Sequence, residues 1–283
     1  MLLDSALVVA GENISRLYII PDGKLGYIPF ETLLATAPDN GSESFSLEHQ
    51  DYLFEKYVVT YGYSATTLLK SLERRQTSTE GPIVAAFAPI YEGGNEKLLA
   101  MRGGDFYVDE AGDTIVLRRG CHRDSLETLY GSIDEVESIE RLLSSKLFMG
   151  NQATRRNLEI AARNHPILHL AIHACVDDRD PMYNRLYLAD STMETFEIFN
   201  LDLAAQMVVL GACETGVGDI IRGEGIMSLA RGFAYAGCPS LVSSLWRVDD
   251  KATGILMALF YENLAAGQPK DCLLYTSDAA DDA

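Results

Sequence analysis

Four stretches of this chain, residues 83–87, 167–172, 207–210 and 240–245, are close to continuously apolar instead of alternating. A strand with one wet face alternates apolar and polar side chains, so near-continuous apolarity means burial on both faces, as in a parallel sheet covered by helices. Further runs at 17–20, 27–34 and 57–61 also read as strands, the first ending at the turn signal Pro21-Asp22-Gly23. Between the runs the apolar period changes. Ile133, Val136, Ile139, Leu142 and Leu143 recur at helical spacing, with Ser132 placed to cap and Glu135 three residues on. Residues 154–163, capped at Thr154, 224–235 and 249–266 read as helices as well. Strand–helix alternation of this kind predicts one α/β domain: a three-layer sandwich whose mostly parallel central sheet has helices on both faces. The polar stretch 36–50 and the glycine-bearing stretch 91–121 read as loops.

The 283 residues, 47% hydrophobic and 23% charged, suffice for a sizeable core. Lys and Arg number 23 against 41 Asp and Glu, a net charge of −18. That balance opposes direct contact with nucleic acid and docking on an anionic membrane surface. No run approaches the ~20 apolar residues of a membrane span, and the first seven residues lack the basic start and apolar core of a signal peptide. Five cysteines at irregular spacing make neither a disulfide framework nor a metal knuckle. A reducing cytoplasm is the expected location, where a thiol can serve as nucleophile.

Two of the apolar runs end in reactive residues. The run 167–172 delivers His173, and 207–210 delivers Gly211-Ala212-Cys213. Sites in open parallel sheets lie beyond the carboxyl ends of the strands, so neighbouring strands would present both side chains at one rim. There a neutral imidazole is a general base, and as imidazolium it lowers the thiol pKa. Gly216 and Gly218 permit a tight turn after Cys213, whose backbone N–H groups can hold an oxyanion. The spacing alone also fits a bland reading, with an inert core cysteine and a hydrogen-bonded structural histidine.

Ordered segments carry a resemblance that goes further. Leu17-Tyr18-Ile19-Ile20-Pro21-Asp22-Gly23-Lys24-Leu25, Ile28-Pro29-Phe30-Glu31-Thr32-Leu33, Asp134-Glu135-Val136 and Gly150-Asn151-Gln152-Ala153-Thr154 come first. His169-Leu170-Ala171-Ile172-His173-Ala174 follows. A long series then runs from Val208-Val209-Leu210 to Ser243-Ser244-Leu245-Trp246-Arg247-Val248-Asp249-Asp250. In this order they resemble the CHAT domain, a caspase-like cysteine peptidase module often fused behind tetratricopeptide repeats. The resemblance implies a caspase-like fold and an endopeptidase that cleaves a protein or peptide substrate through a thioester. It implies Cys213 as nucleophile, His173 as base, the backbone N–H groups of Ala174 and Cys213 as oxyanion hole, and Trp246 and Asp249 in the substrate groove. Many relatives carry Gly where Ala174 stands. Asp249 equally fits the N-cap of the last helix. No cofactor and no metal are implied, and a repeat-type sensor region is the expected partner of the full-length protein. The alternative from another class is a catalytically silent caspase-like scaffold.

A metal reading of His165, His169, His173 and Cys175 needs a helix, whereas Pro166 and the apolar run argue for a strand. At ~3.3 Å per residue a strand sets the outer histidines ~26 Å apart, beyond any shared ion. Cys175 reads as a bystander and Cys238 as a core residue. The Arg222-Gly223-Glu224-Gly225 segment lacks the Lys-Ser/Thr of a phosphate loop. Residues 1–271 are expected to form the domain, cut short at its C-terminus. The last twelve residues, 272–283, follow neither helix nor strand logic and resemble the translation of a sequencing adaptor.

Overall fold

The computed structural model describes residues 14–35, 51–73, 81–91, 106–108, 114–116, 129–175, 177, 180–211, 220–221, 225–226, 228–244 and 250–270. Its centre is a five-stranded sheet built from β1 (Val84–Ala88), β2 (Ser145–Met149), β3 (Ile167–Leu170), β4 (Met207–Leu210) and β5 (Leu241–Ser243). The order across the sheet is β2-β1-β3-β4-β5 and every pairing is parallel. All residues of β1, β3 and β4 are buried, as their unbroken apolarity requires.

Helices α1 (Tyr130–Leu142), α2 (Arg155–Asn164), α3 (Leu229–Tyr235) and α4 (Asp250–Ala265) cover the two faces. On one face Ala85, Phe87, Leu168, Leu170, Val208 and Leu210 pack against Leu158 and Ala161 of α2 and Leu229 and Phe233 of α3. On the other, Val84, Ala86, Ile167, Met207 and Val209 pack against Val136 and Ile139 of α1 and Met257 and Phe260 of α4. This is the expected α/β sandwich with helices on both faces.

Local details correct several sequence expectations. Helix α1 begins ahead of Ser132, whose hydroxyl donates to the Leu129 carbonyl (2.6 Å) inside the first turn instead of capping. Glu135 is buried and belongs to the core. Thr154 does cap α2, accepting from the Asn157 N–H at 3.2 Å. Helix α3 starts only at Leu229, capped by Ser228, while Gly225–Ile226 pairs antiparallel with Ile220–Ile221. The run 27–34 forms no strand: two short 3-10 turns, Gly23–Tyr27 and Phe30–Thr32, place Phe30 beside Tyr61, where its N–H donates to the phenol oxygen at 2.7 Å. The strand Arg16–Ile19 pairs parallel with Val58–Tyr61 in a separate two-stranded sheet. Within the stretch read as loop, Phe106–Val108 pairs antiparallel with Thr114–Val116. The Cys238 thiol is buried and donates to the Ser240 carbonyl, in keeping with a core role, whereas Cys175, expected to be a bystander, is disulfide-bonded. Residues 272–283 lie outside the described residues.

Phe87 is fully buried and stacks on Phe148 with ring centroids 4.6 Å apart. Its replacement by Ala is expected to lower the unfolding free energy by about 3–5 kcal/mol. Thr154→Ala, which removes one cap bond, is expected to cost about 1 kcal/mol. Urea denaturation measures both, through a shifted midpoint at unchanged slope.

Candidate functional site

In the order β2-β1-β3-β4-β5 the chain leaves β1 toward one edge of the sheet, and β3 lies on its other side. The carboxyl ends of β1 and β3 therefore bound the crevice in which open α/β sheets bind ligands. Tyr91 stands three residues beyond β1, and His173 three beyond β3. Tyr91 is 9% exposed and His173 is half-buried. Their rings meet at 5.1 Å between centroids, tilted by 48°.

The backbone at His173 is held by a second small sheet. Ala174–Cys175 pairs antiparallel with Arg185–Tyr187, which in turn pairs with Thr192–Glu194. The Tyr187 N–H donates to the His173 carbonyl at 2.9 Å, so His173 sits at a hydrogen-bonded position of that ladder. The reciprocal bond is absent in its direct form. The Tyr91 hydroxyl takes its place, accepting from the His173 N–H (3.2 Å) and donating to the Tyr187 carbonyl (2.7 Å). Ala174, opposite Leu186, falls at the next, non-hydrogen-bonded position, where a backbone N–H points away from the partner strand.

Beneath the rim lies a buried polar group of three side chains. His169, within β3, is fully buried, and its Nδ1 is 3.0 Å from the Tyr261 hydroxyl of α4. Its Nε2 is 3.1 Å from Glu135 Oε1 of α1, close but out of line for a good hydrogen bond. Burial pushes the Tyr261 phenol well above its usual pKa of 10.0, and the Glu135 charge adds to the rise. A Cβ placed on Gly211 would lie 3.4 Å from the Ala171 Cα and 3.6 Å from Glu135 Oε1. The carboxylate thus sits directly under the adjoining ends of β3 and β4.

The structure accordingly describes His173 and Ala174 of the sequence-predicted site. Cys213, Trp246 and Asp249 lie outside the described residues; Gly211, Ser244 and Asp250 are the flanking described positions. His165, His169 and His173 do not converge. The His165 ring meets the Ala161 carbonyl at 3.3 Å, and His169 is enclosed by Glu135 and Tyr261. Among the described residues no three His, Cys, Asp or Glu side chains are arranged to hold a metal. Nor is any described helix long and apolar enough to cross a membrane. A surface pocket of about 310 Å³ lies on the α2 face, lined by Arg155, Arg163 and Glu197 among others. Ion pairs of Arg155 with Glu159 (3.0 Å) and Glu197 (2.8 Å) cross it, the pattern of a solvated ion-pair groove instead of a reaction centre.

Sequence reasoning missed Tyr91, Glu135, His169 and Tyr261 as parts of this region. The one available signal was polarity out of place, a histidine inside an apolar strand and a glutamate on the apolar stripe of a helix.

Comparisons with known proteins bear on the whole chain. The CHAT domain family model matches residues 1–277. No curated protein matches. Among solved structures, the chain is similar to one in a complex of Porphyromonas gingivalis RgpB pro- and mature domains. The identity is 10% and the TM-score 0.47, over 79% of this chain and 50% of that one. The present chain thus spans half the length of that neighbour.

Tyr261→Phe removes the hydroxyl partner of a fully buried imidazole and is expected to cost about 1–3 kcal/mol at neutral pH. Because the folded phenol pKa is raised, the tyrosine's stabilisation is present below pH 10 and lost as pH rises beyond it. Unfolding free energy measured against pH should therefore fall more steeply above pH 10 in the wild type than in Tyr261→Phe.

Proposed function

The chain belongs to the CHAT domain family, and from that membership together with the geometry at the carboxyl edge of the sheet we propose that it is a cysteine endopeptidase acting through His173 and Cys213. One observation carries the reading. The β3–β4 register sets Leu170 opposite Leu210, and Gly211 still donates to the Leu170 carbonyl at 3.0 Å. The numbering offset between the paired strands is therefore 40, the same interval that separates His173 from Cys213. Neighbouring strands are ~4.8 Å apart, so two side chains leaving them at matched positions are within reach of one another.

In the proposed reaction the Cys213 thiolate attacks the carbonyl carbon of a peptide bond, and the developing oxyanion is held by the backbone N–H groups of Ala174 and Cys213. The non-hydrogen-bonded ladder position of Ala174 supports that role. His173 as imidazolium gives its proton to the leaving amine, then removes a proton from the water that hydrolyses the thioester. No step calls for a metal or an organic cofactor. Trp246 and Asp249 are the proposed groove residues, a protein or peptide the substrate, and repeats in the full-length protein the proposed sensor. A reducing cytoplasm would keep the thiol active.

The test is cleavage of a peptide library by the expressed protein and by His173→Ala and Cys213→Ala. The expected result is cleavage that falls at least about 10³-fold in both variants. Equal cleavage by all three would overturn the assignment of His173 and Cys213, and no cleavage under any condition that leaves the protein folded would favour the silent scaffold.

A further inference from the structure

A peptidase histidine has to keep one rotamer while its neighbours change. The half-buried His173 immediately precedes the two-residue strand Ala174–Cys175 at the mouth of a crevice, a weak support. What stiffens it is Tyr91, which reaches across from the end of β1. Its ring lies against the imidazole, and its hydroxyl is bonded in both directions, to the His173 N–H and the Tyr187 carbonyl. Tyr91 is also buried with Cys175 and Tyr187, so its own ring has little freedom.

We propose that Tyr91 is the positioning residue of this site, orienting His173 toward Cys213 from the far side of the crevice. The inference rests on the cysteine–histidine reading above. Two physical consequences follow from the bridging hydroxyl. First, with the phenol oxygen inserted, the His173–Tyr187 pair closes by one direct bond and one relayed bond, so the strand is held slightly open at His173. That opening sets the angle at which the His173–Ala174 peptide faces the site. Second, the phenol hydrogen is committed to the Tyr187 carbonyl, a buried acceptor, and so does not compete for the imidazole nitrogens. The ring contact at 5.1 Å then restricts the imidazole torsions without binding its nitrogens. A displacement of about 1 Å in such a group can cost on the order of 10²-fold in rate.

The experiment measures the rate of Cys213 alkylation by iodoacetamide against pH, read by mass spectrometry of the Cys213 peptide, in wild type, His173→Ala and Tyr91→Phe. An unassisted thiol titrates near 8.5, whereas one paired with an imidazolium reacts at lower pH. Wild type is expected to show the lowered profile and His173→Ala the ordinary one. Tyr91→Phe is expected to lose about tenfold of the rate near pH 6.5, with its pH midpoint moved toward that of His173→Ala, and to unfold at somewhat lower urea because two groups lose a hydrogen-bond partner, so the pH midpoint of the folded protein is the deciding reading. A merely structural loss would move the urea midpoint and leave the pH midpoint in place, which counts against positioning. Coincidence of the Tyr91→Phe and wild-type profiles, with His173→Ala distinct, overturns the Tyr91 proposal alone. Coincidence of wild type with His173→Ala overturns the dyad and the proposal together. Should Tyr91→Phe fail to fold, a fluorinated tyrosine of lowered phenol pKa at position 91 keeps the shape and donates only while protonated. The alkylation rate is then expected to drop as that phenol ionises, and no such drop is expected when the exposed Tyr183 carries the same substitution. An unchanged profile there overturns the proposal.

Discussion

Strands buried on both faces have a weak hydrophobic preference for which side chain points which way. Turning β3 over would exchange Leu168 and Leu170 for Ile167 and Ala171, and both sets meet apolar cores. His169 removes that degeneracy. Its two ring nitrogens meet Glu135 from α1 and Tyr261 from α4, and both helices lie on one side of the sheet. On the opposite side the imidazole would face Leu158, Phe233 and their neighbours with no polar partner, a cost of several kcal/mol. A single histidine thereby fixes the facing of β3, and through Glu135 ties the ends of β3 and β4 to α1. Breaking such a group by removing one member is costly, even where replacing the whole set with apolar residues would not be.

The facing of β3 determines everything at the rim. With His169 turned toward α1 and α4, the alternation carries Ala171 to the same side, and the chain then bends at Ile172 before His173. Glu135 Oε1 lies beside Gly211, at the adjoining ends of β3 and β4. The crevice between β1 and β3 then brings Tyr91 to His173, and the small antiparallel sheet holds the peptide after it. Binding and chemistry are proposed for residues at the edge, while the polar group that fixes the facing of β3 lies inside the core.

Much of this fold is legible in the sequence for a simple reason. Strands β1, β3 and β4 are covered on both sides, so their composition shows no alternation, and their shortness separates them from the apolar run 255–261 inside helix α4. The edge strand β2 was not legible: Ser145 to Met149 is only partly covered, and its lysine and serine hide it. Ser132 followed by Glu135 reads as a capping box, yet Glu135 is claimed by His169, and tertiary contact overrides the local motif. Residues 27–34 are apolar enough for a strand, but Pro29 has no N–H to offer a ladder and the chain turns there. His173 was legible because it ends an apolar run. Tyr91 was not, since its role depends on an approach across 82 residues of sequence that no local pattern records.

The most direct test of the central claim is a crystal structure of the protein trapped with a peptide aldehyde or chloromethyl ketone. The account predicts a covalent bond to Cys213 Sγ, an imidazole nitrogen of His173 within about 3–4 Å of that sulfur, and the inhibitor oxygen facing the Ala174 N–H. It predicts Tyr91 still bridging His173 and Tyr187. Attachment at another cysteine, or His173 turned away from a modified Cys213 by more than ~6 Å, would contradict it.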